Sequence, residues 1–133
     1  MSSFAHDPIS EADEKLGSLL LDAAFRLHRN LGPGLLESVY ERCLGIELST
    51  AGVEYAVQVQ VPIKYEGEVV ESALRLDMLV GNCVVVELKS VEQVLPIHTA
   101  QLFTYLKLTD RRLGFLINFN VQYLKDGIHR VVR

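Results

Sequence analysis

At 133 residues, with 49% hydrophobic and 23% charged residues, the chain has the size and balance of one ordinary globular domain. It is long enough to bury a single core and too short for two. Its net charge of −4, from 13 basic and 17 acidic side chains, argues against a protein that coats nucleic acid by surface charge alone. An enzyme whose acids surround a cation stays open, because a bound ion cancels part of that charge. Cys43 and Cys83 are too few for a disulfide framework and read as small buried hydrophobes. Met1 to Ser10 holds no sustained apolar run, so no secretory signal peptide is expected. No stretch approaches the roughly 18 to 20 apolar residues that cross a bilayer. No membrane association and a cytoplasmic location are therefore expected.

In chain order, residues 1–9 are expected to be a tail and 10–133 one domain. A helix is predicted from about Ser10 to Leu31, with Ser10 as its cap and Asp13 and Glu14 near its first turn. Its apolar face runs through Leu16, Leu20, Ala23, Ala24 and Leu27. Gly32-Pro33-Gly34 must break it, and a second helix follows from about Leu35 to Ala51. From Val53 to Tyr65 the period changes to the alternation of a strand, with Pro62 marking an edge position or a bulge. Glu66-Gly67 reads as a turn. A second strand runs from about Val69 to Val80, and a third from Cys83 to Ser90 after Gly81-Asn82. A third helix is predicted over Pro96–Leu108, with proline tolerated in its first turn. Arg112 to Phe119 is a strand, and Val121 to Val132 contains another around Gly127. This order fits a layered α/β domain whose sheet begins antiparallel and gains a strand through a helical crossover.

The second and third strands are apolar at nearly every position, so both faces of the sheet should be covered. Strict alternation would put Leu74, Leu76, Met78 and Val80 on one face and Arg75, Asp77 and Leu79 on the other. On the third strand Glu87 and Lys89 share a face with Val85. A two-residue turn at Gly81-Asn82 would set Asp77 and Glu87 on opposite faces. A three-residue loop, Gly81 to Cys83, would pair Val80 with Val84 and Asp77 with Glu87, and this register is expected. Two opposed carboxylates with Cβ atoms about 4.5 to 5.5 Å apart repel and call for a cation. Hard oxygen ligands suit Mg2+ or Mn2+. Lys89 beside two acids should stay protonated, a poor base but a suitable partner for an attacking water or a charged phosphate. From the residues alone, a salt-bridge ladder of Asp77, Glu87, Arg75 and Lys89 on a solvated face is the favoured reading.

Several segments carry a family resemblance. Gly34-Leu35-Leu36-Glu37-Ser38-Val39-Tyr40 resembles the naming motif of the GxxExxY protein family. Arg75 to Val80, Val86-Glu87-Leu88-Lys89, Gln101 to Lys107 and Gly114 to Phe119 are similar to that family's pattern and fall in its order. The family is assigned to the PD-(D/E)xK nuclease superfamily. The resemblance implies a three-layer α/β/α sandwich around a central mixed sheet, restriction-endonuclease-like. It also implies Asp77 and Glu87 as metal ligands, with Leu88 counted among the metal-binding positions, and Lys89 as the catalytic lysine. Gln101-x-x-x-Tyr105 resembles the helical motif of the RecB-like and lambda-exonuclease-like branch. Here Leu76 stands where the superfamily name has proline.

At about 100° per residue, the apolar arc of the second helix covers Leu36, Val39, Tyr40, Cys43 and Leu44. Glu47 falls near its centre, Glu37 at its edge and Glu41 outside it. Glu47 is thus either a buried, hydrogen-bonded acid or a site residue. The motif favours Glu37 as an acid that reaches the metal through water. Gln101 and Tyr105 share a helix face, with His98 one turn earlier. Core packing of Tyr105 and plain exposure of Gln101 are the alternatives to their orienting the lysine and a phosphate. His28 is read as a cation at a helix C-terminus in preference to a ligand. The resulting expectation is a Mg2+- or Mn2+-dependent nuclease acting on DNA, with RNA as a further substrate class and homodimerisation plausible. The alternative is a nuclease-fold module that binds nucleic acid or protein and does not cut.

Overall fold

The computed structural model describes residues 7–133; part of the expected tail, residues 1–6, lies outside the described residues. Helix α1 spans Glu11–Leu31. The Ser10 hydroxyl accepts from the Asp13 N–H at 3.1 Å, and Glu11, Asp13 and Glu14 add negative charge to the first turn, which satisfies an orphan donor and suits the helix dipole. The helix stops at Gly32, whose φ of 72° suits glycine. Helix α2, Glu37–Thr50, packs back on α1. Its buried stripe is Tyr40, Leu44 and Leu48, while Leu36 and Val39, expected in that stripe, stay exposed.

Strands β1 (Tyr55–Tyr65) and β2 (Glu68–Val80) form a long hairpin around Glu66-Gly67. Both turn residues have positive φ, 50° and 81°, as a tight hairpin turn requires. The β1–β2 register slips between Val61 and Ile63. Pro62 sits at that slip because it has no N–H to give to the ladder. Strand β3 (Val84–Lys89) follows, then helix α3 (Pro96–Leu108) and strand β4 (Leu113–Asn118). A single turn of 3-10 helix, Leu124–Gly127, precedes strand β5, Ile128–Val132. The last strand therefore begins after Gly127, where a strand had been expected to be centred.

The sheet order is β1-β2-β3-β4-β5, antiparallel except for the parallel pair β3–β4. Helix α3 is the crossover between that pair, and it must lie on one face of the sheet to connect parallel neighbours. Leu102 and Leu106 of α3 pack on Leu76, Leu79, Val85 and Leu116. On the opposite face α1 and α2 cover Met78, Val80, Val84, Val86, Leu88, Phe115 and Ile117. This is the expected three-layer α/β/α arrangement around a mixed sheet. No helix among the described residues is long and apolar enough to cross a membrane.

Strict alternation along β2 fails at one place. Leu74 and Leu76 belong to the α3 side, Met78 and Val80 to the α1/α2 side, so the strand rolls over between Leu76 and Met78. Across the ladder, between the pairs Val57–Met78 and Val59–Leu76, stands Gln58 with φ of 52°. A left-handed residue there twists β1, and β2 with it, at the level of Asp77.

Gly127 meets the end of β4 so closely that a Cβ on it would collide with the Asn118 carbonyl oxygen, a backbone atom with no freedom to retreat. Gly127→Ala is expected to destabilise the fold by about 1–3 kcal/mol. The readout is a lower urea midpoint with unchanged slope.

Candidate active site

Strands β2 and β3 pair Met78 with Val86, Leu79 with Val85 and Val80 with Val84. The loop takes three residues, Gly81 to Cys83, with the Cys83 N–H donating to the Val80 carbonyl at 3.0 Å. The expected register holds, and its next step brings Asp77 opposite Glu87. There the backbone ladder ends and side chains take over. The Asp77 N–H donates to Glu87 Oε2 at 3.1 Å, and the Leu88 N–H donates to Asp77 Oδ2 at 2.9 Å. Each carboxylate stands in for the carbonyl that a continuing ladder would have supplied. The strands fork, and both acids are fixed at the fork.

Asp77, Glu87 and Lys89 line one cleft of about 480 Å³ together with Glu37, Tyr105 and Arg75. Gln60 and Ser72 complete its polar wall. Burial and the neighbouring Asp77 charge push the Glu87 carboxyl up to about 8. Burial also raises Asp77, offset by the Leu88 N–H, with Glu41, Glu37 and Lys89 acting on its charge from further off. Burial, then the charges of Glu87 and Asp77, holds the Tyr105 hydroxyl protonated above its ordinary value. Among the described residues the ion pairs are Arg26–Glu47, Arg130–Glu14 and Arg133–Asp110. The alternative of a ladder among Asp77, Glu87, Arg75 and Lys89 is therefore not what these residues form. The cleft holds three carboxylates against two cationic side chains.

The donor set fits a hard cation that keeps several waters. Among the described residues no three His, Cys, Asp or Glu side chains enclose an ion by themselves, so further ligands would be backbone oxygens and water. The N–H and C=O of one strand residue point to the same side. The Leu88 N–H points to Asp77, and the Lys89 carbonyl accepts from Phe119 on the β4 side. The Leu88 carbonyl thus faces the fork.

Around this fork the loops are tied by Glu37 and by residues that had no assigned role. The Tyr40 hydroxyl donates to the Gly32 carbonyl at 2.6 Å and accepts from the Leu35 N–H at 3.2 Å, and its ring stacks on Phe119 at 4.5 Å. Glu37 accepts from the Ser90 N–H at 3.2 Å, and the Ser90 hydroxyl donates to the Leu35 carbonyl at 2.6 Å. Asn118, buried and in register with Lys89, binds Val91 with both ends of its amide, at 3.1 and 3.0 Å. A lone amide at the end of the apolar strand Leu113–Asn118 was the signal for it.

The structure gives several of the remaining polar residues other partners or places. Glu47 pairs with Arg26 at 2.9 Å, on the α1 side of α2, which matches the hydrogen-bonded acid of the two readings. Ten helical residues also separate it from Glu37 by about 15 Å. Glu41, one turn after Glu37 and outside the apolar arc, is the second α2 acid whose charge reaches Asp77. Gln101 does not line the cleft with Lys89; it lies in an adjacent groove that shares Tyr105. His98 Nδ1 accepts from the Leu95 N–H at 3.0 Å, a cap on α3, and His28 donates from Nε2 to the Val121 carbonyl at 2.9 Å. Both histidines have structural partners.

The family profile of the PD-(D/E)XK nuclease superfamily matches residues 14–131. The solved structure of the protein SSO0001 superposes with a TM-score of 0.55 at 22% identity, over 73% of this chain and 50% of that one. That likeness concerns the fold, and this chain spans about half the length of SSO0001. Among curated proteins none matches.

The raised Glu87 pKa has a sign for stability. Between the ordinary value near 4.5 and about 8, the folded protein holds a proton that the unfolded chain has lost. Stability from this group is full below the unfolded value and is lost as pH rises toward about 8. In EDTA, the Tm is expected to fall by about 5 °C or more from pH 5 to pH 8. Glu87→Gln should flatten that slope; an equal slope in both proteins would contradict the assignment.

Proposed function

The chain belongs to the PD-(D/E)XK nuclease superfamily, and from that premise we propose that its cleft hydrolyses phosphodiester bonds of DNA with a divalent metal. Nucleases of this superfamily generally use divalent metals. In this reading Asp77, Glu87 and the Leu88 carbonyl would hold Mg2+ or Mn2+, with Glu37 and Glu41 of α2 as the further acids of the site. The single observation behind it is the forked pair Asp77 and Glu87, two acids forced together beside Lys89 with no ion-pair partner among the described residues. A divalent ion would turn the excess of carboxylates into a net positive site able to receive a phosphate.

When bound, such an ion supplies Lewis-acid polarisation of the phosphate and a water made acidic enough to attack it. The protein's own part is placement and charge. Asp77 and Glu87 must be ionised to bind, so the proton that Glu87 carries alone has to leave. Lys89, extending from the same strand face as Glu87, would hold the attacking water or offset charge gained by the phosphate. Tyr105, kept protonated by burial and then by the neighbouring acids, donates to a phosphate oxygen and does not act as a base. The GxxExxY resemblance fits the same reading: Gly34 and Tyr40 shape the loop that carries Glu37 to Ser90, next to Lys89.

With Mn2+ or Mg2+, the protein is expected to cleave single-stranded, duplex or branched DNA, and to stop in EDTA. Asp77→Asn and Lys89→Ala should each lower the rate by about 100-fold or more at unchanged Tm-ranked folding. Wild type that binds DNA but cleaves none of the three would favour the non-cutting alternative.

A further inference from the structure

The cleft does not end at Tyr105. A second groove of about 450 Å³ opens beyond it and shares Ala73, Leu74 and Tyr105 with the cleft. Its far walls are Ile63 on β1 and Ile97, Gln101, Thr104 and Leu108 on α3. None of the side chains lining it is charged. Ile97 is 67% exposed and Leu108 42%, so apolar surface faces water here. A strongly polar, ionic cleft thus passes within one tyrosine into an uncharged slot whose polar heads are one amide and two hydroxyls. Arg75 lies on the ionic side of that junction.

A nucleotide has the same grading. Its phosphate is charged, and its base is flat and apolar on both faces with hydrogen-bonding groups only at the edge. In a duplex both faces of a base are stacked and its edge is paired, so only an unpaired base can turn into a groove. We propose that the groove between α3 and the β1–β2 hairpin is a nucleobase subsite, and that the substrate is single-stranded nucleic acid or the unpaired end of a duplex. The proposal rests on the reading of the cleft as a phosphodiester site. Arg75 anchors a phosphate by charge, the base enters past Tyr105 onto Ile63 and Ile97, and the Gln101 amide meets its edge. Gln101 thereby gains a role that the cleft itself does not give it. A protein partner is the less suited occupant. The volume lies within the roughly 300–1,000 Å³ of small-ligand pockets, whereas a protein interface takes about 800 Å² from each partner.

The test measures binding with Ca2+ replacing Mg2+ or Mn2+, by fluorescence anisotropy. The probes are a short single strand, its blunt duplex and the same strand with abasic sites. Wild type is expected to bind the single strand about tenfold or more tighter than the duplex, and to lose about that factor on the abasic strand. Thr104→Trp, at an exposed helix position, fills the groove and should reduce the preference to about threefold or less. Gln101→Ala should weaken single-strand binding about threefold or more, and it carries the test if the tryptophan variant melts early. Equal affinity for strand and duplex, or a preference untouched by both variants, overturns the proposal. Hydrolysis of bis(p-nitrophenyl) phosphate with Mn2+ reads the cleft without any base. Hydrolysis without strand preference overturns the subsite alone, whereas strand preference that both variants reduce, without hydrolysis, supports the subsite and overturns cleavage. Failure to bind any strand overturns the subsite.

Discussion

Asp77 and Glu87 each accept a backbone N–H from the other's strand, at 2.9 and 3.1 Å, at the point where β2 and β3 cease to share a ladder. The rest of the candidate site depends on that exchange. A sheet interior has no water to satisfy a freed N–H, and an orphaned donor costs on the order of 1–3 kcal/mol. By using carboxylate oxygens as the acceptors, the chain opens the sheet with the Asp77 and Leu88 N–H groups still paired. The same two bonds hold the carboxylates at a fixed separation while leaving each acid a second oxygen. Neither carboxylate can swing away from the other without stranding an N–H.

The cost of the arrangement is electrostatic and falls mainly on Glu87, whose exposure is only 6%. A lysine two residues further along the strand lowers its pKa but does not cancel burial and the neighbouring aspartate. Without a cation the pair relieves itself by keeping a proton. A site so constructed is least comfortable in its fully ionised form, the form that the proposed metal would need, so a bound cation would relieve the repulsion that ionisation creates. The fold offsets the cost elsewhere: β3 and β4 are buried along nearly their whole length between two helical layers.

Most of the fold was legible because apolar period and turn chemistry act locally. Ser10, Gly32, Pro62, Glu66-Gly67 and Pro96 each mark a boundary or bulge by a constraint of one residue on its own backbone. The register of β2 on β3 was legible too, since only one loop length sets Asp77 against Glu87. What was not legible was of another kind. Glu47 interrupts an apolar arc and left two readings open, and the partner that distinguishes them, Arg26, lies on a different helix 21 residues away. Glu41 looked irrelevant because it lies off the arc, yet the polar flank of α2 is the side whose acids act on Asp77. Gln101 and Tyr105 share a helix face, but a face about 6 Å per turn of pair spacing is long enough to cross from one cavity to the next. Such facts depend on pairings between elements, which no single segment encodes.

The rollover of β2 between Leu76 and Met78 unites these observations. In a strand of strict alternation, Leu76 and Met78 would face the same helical layer, and the positions flanking Asp77 would compete for one side of the sheet. The left-handed Gln58 on β1 removes that conflict, and its amide is bonded to Glu41 at 2.6 Å. One residue therefore twists the hairpin at the level of Asp77 and ties that hairpin to the helix bearing Glu37 and Glu41. Non-glycine residues accept positive φ at a cost of order 1–3 kcal/mol, and persist there when the surroundings over-determine them. Here the surroundings are the ladder pairs on either side, Val57–Met78 and Val59–Leu76, and the bond to α2. The strain sits in β1, across the ladder from the acids it serves, and that leaves Asp77 and Glu87 free to take their geometry from each other.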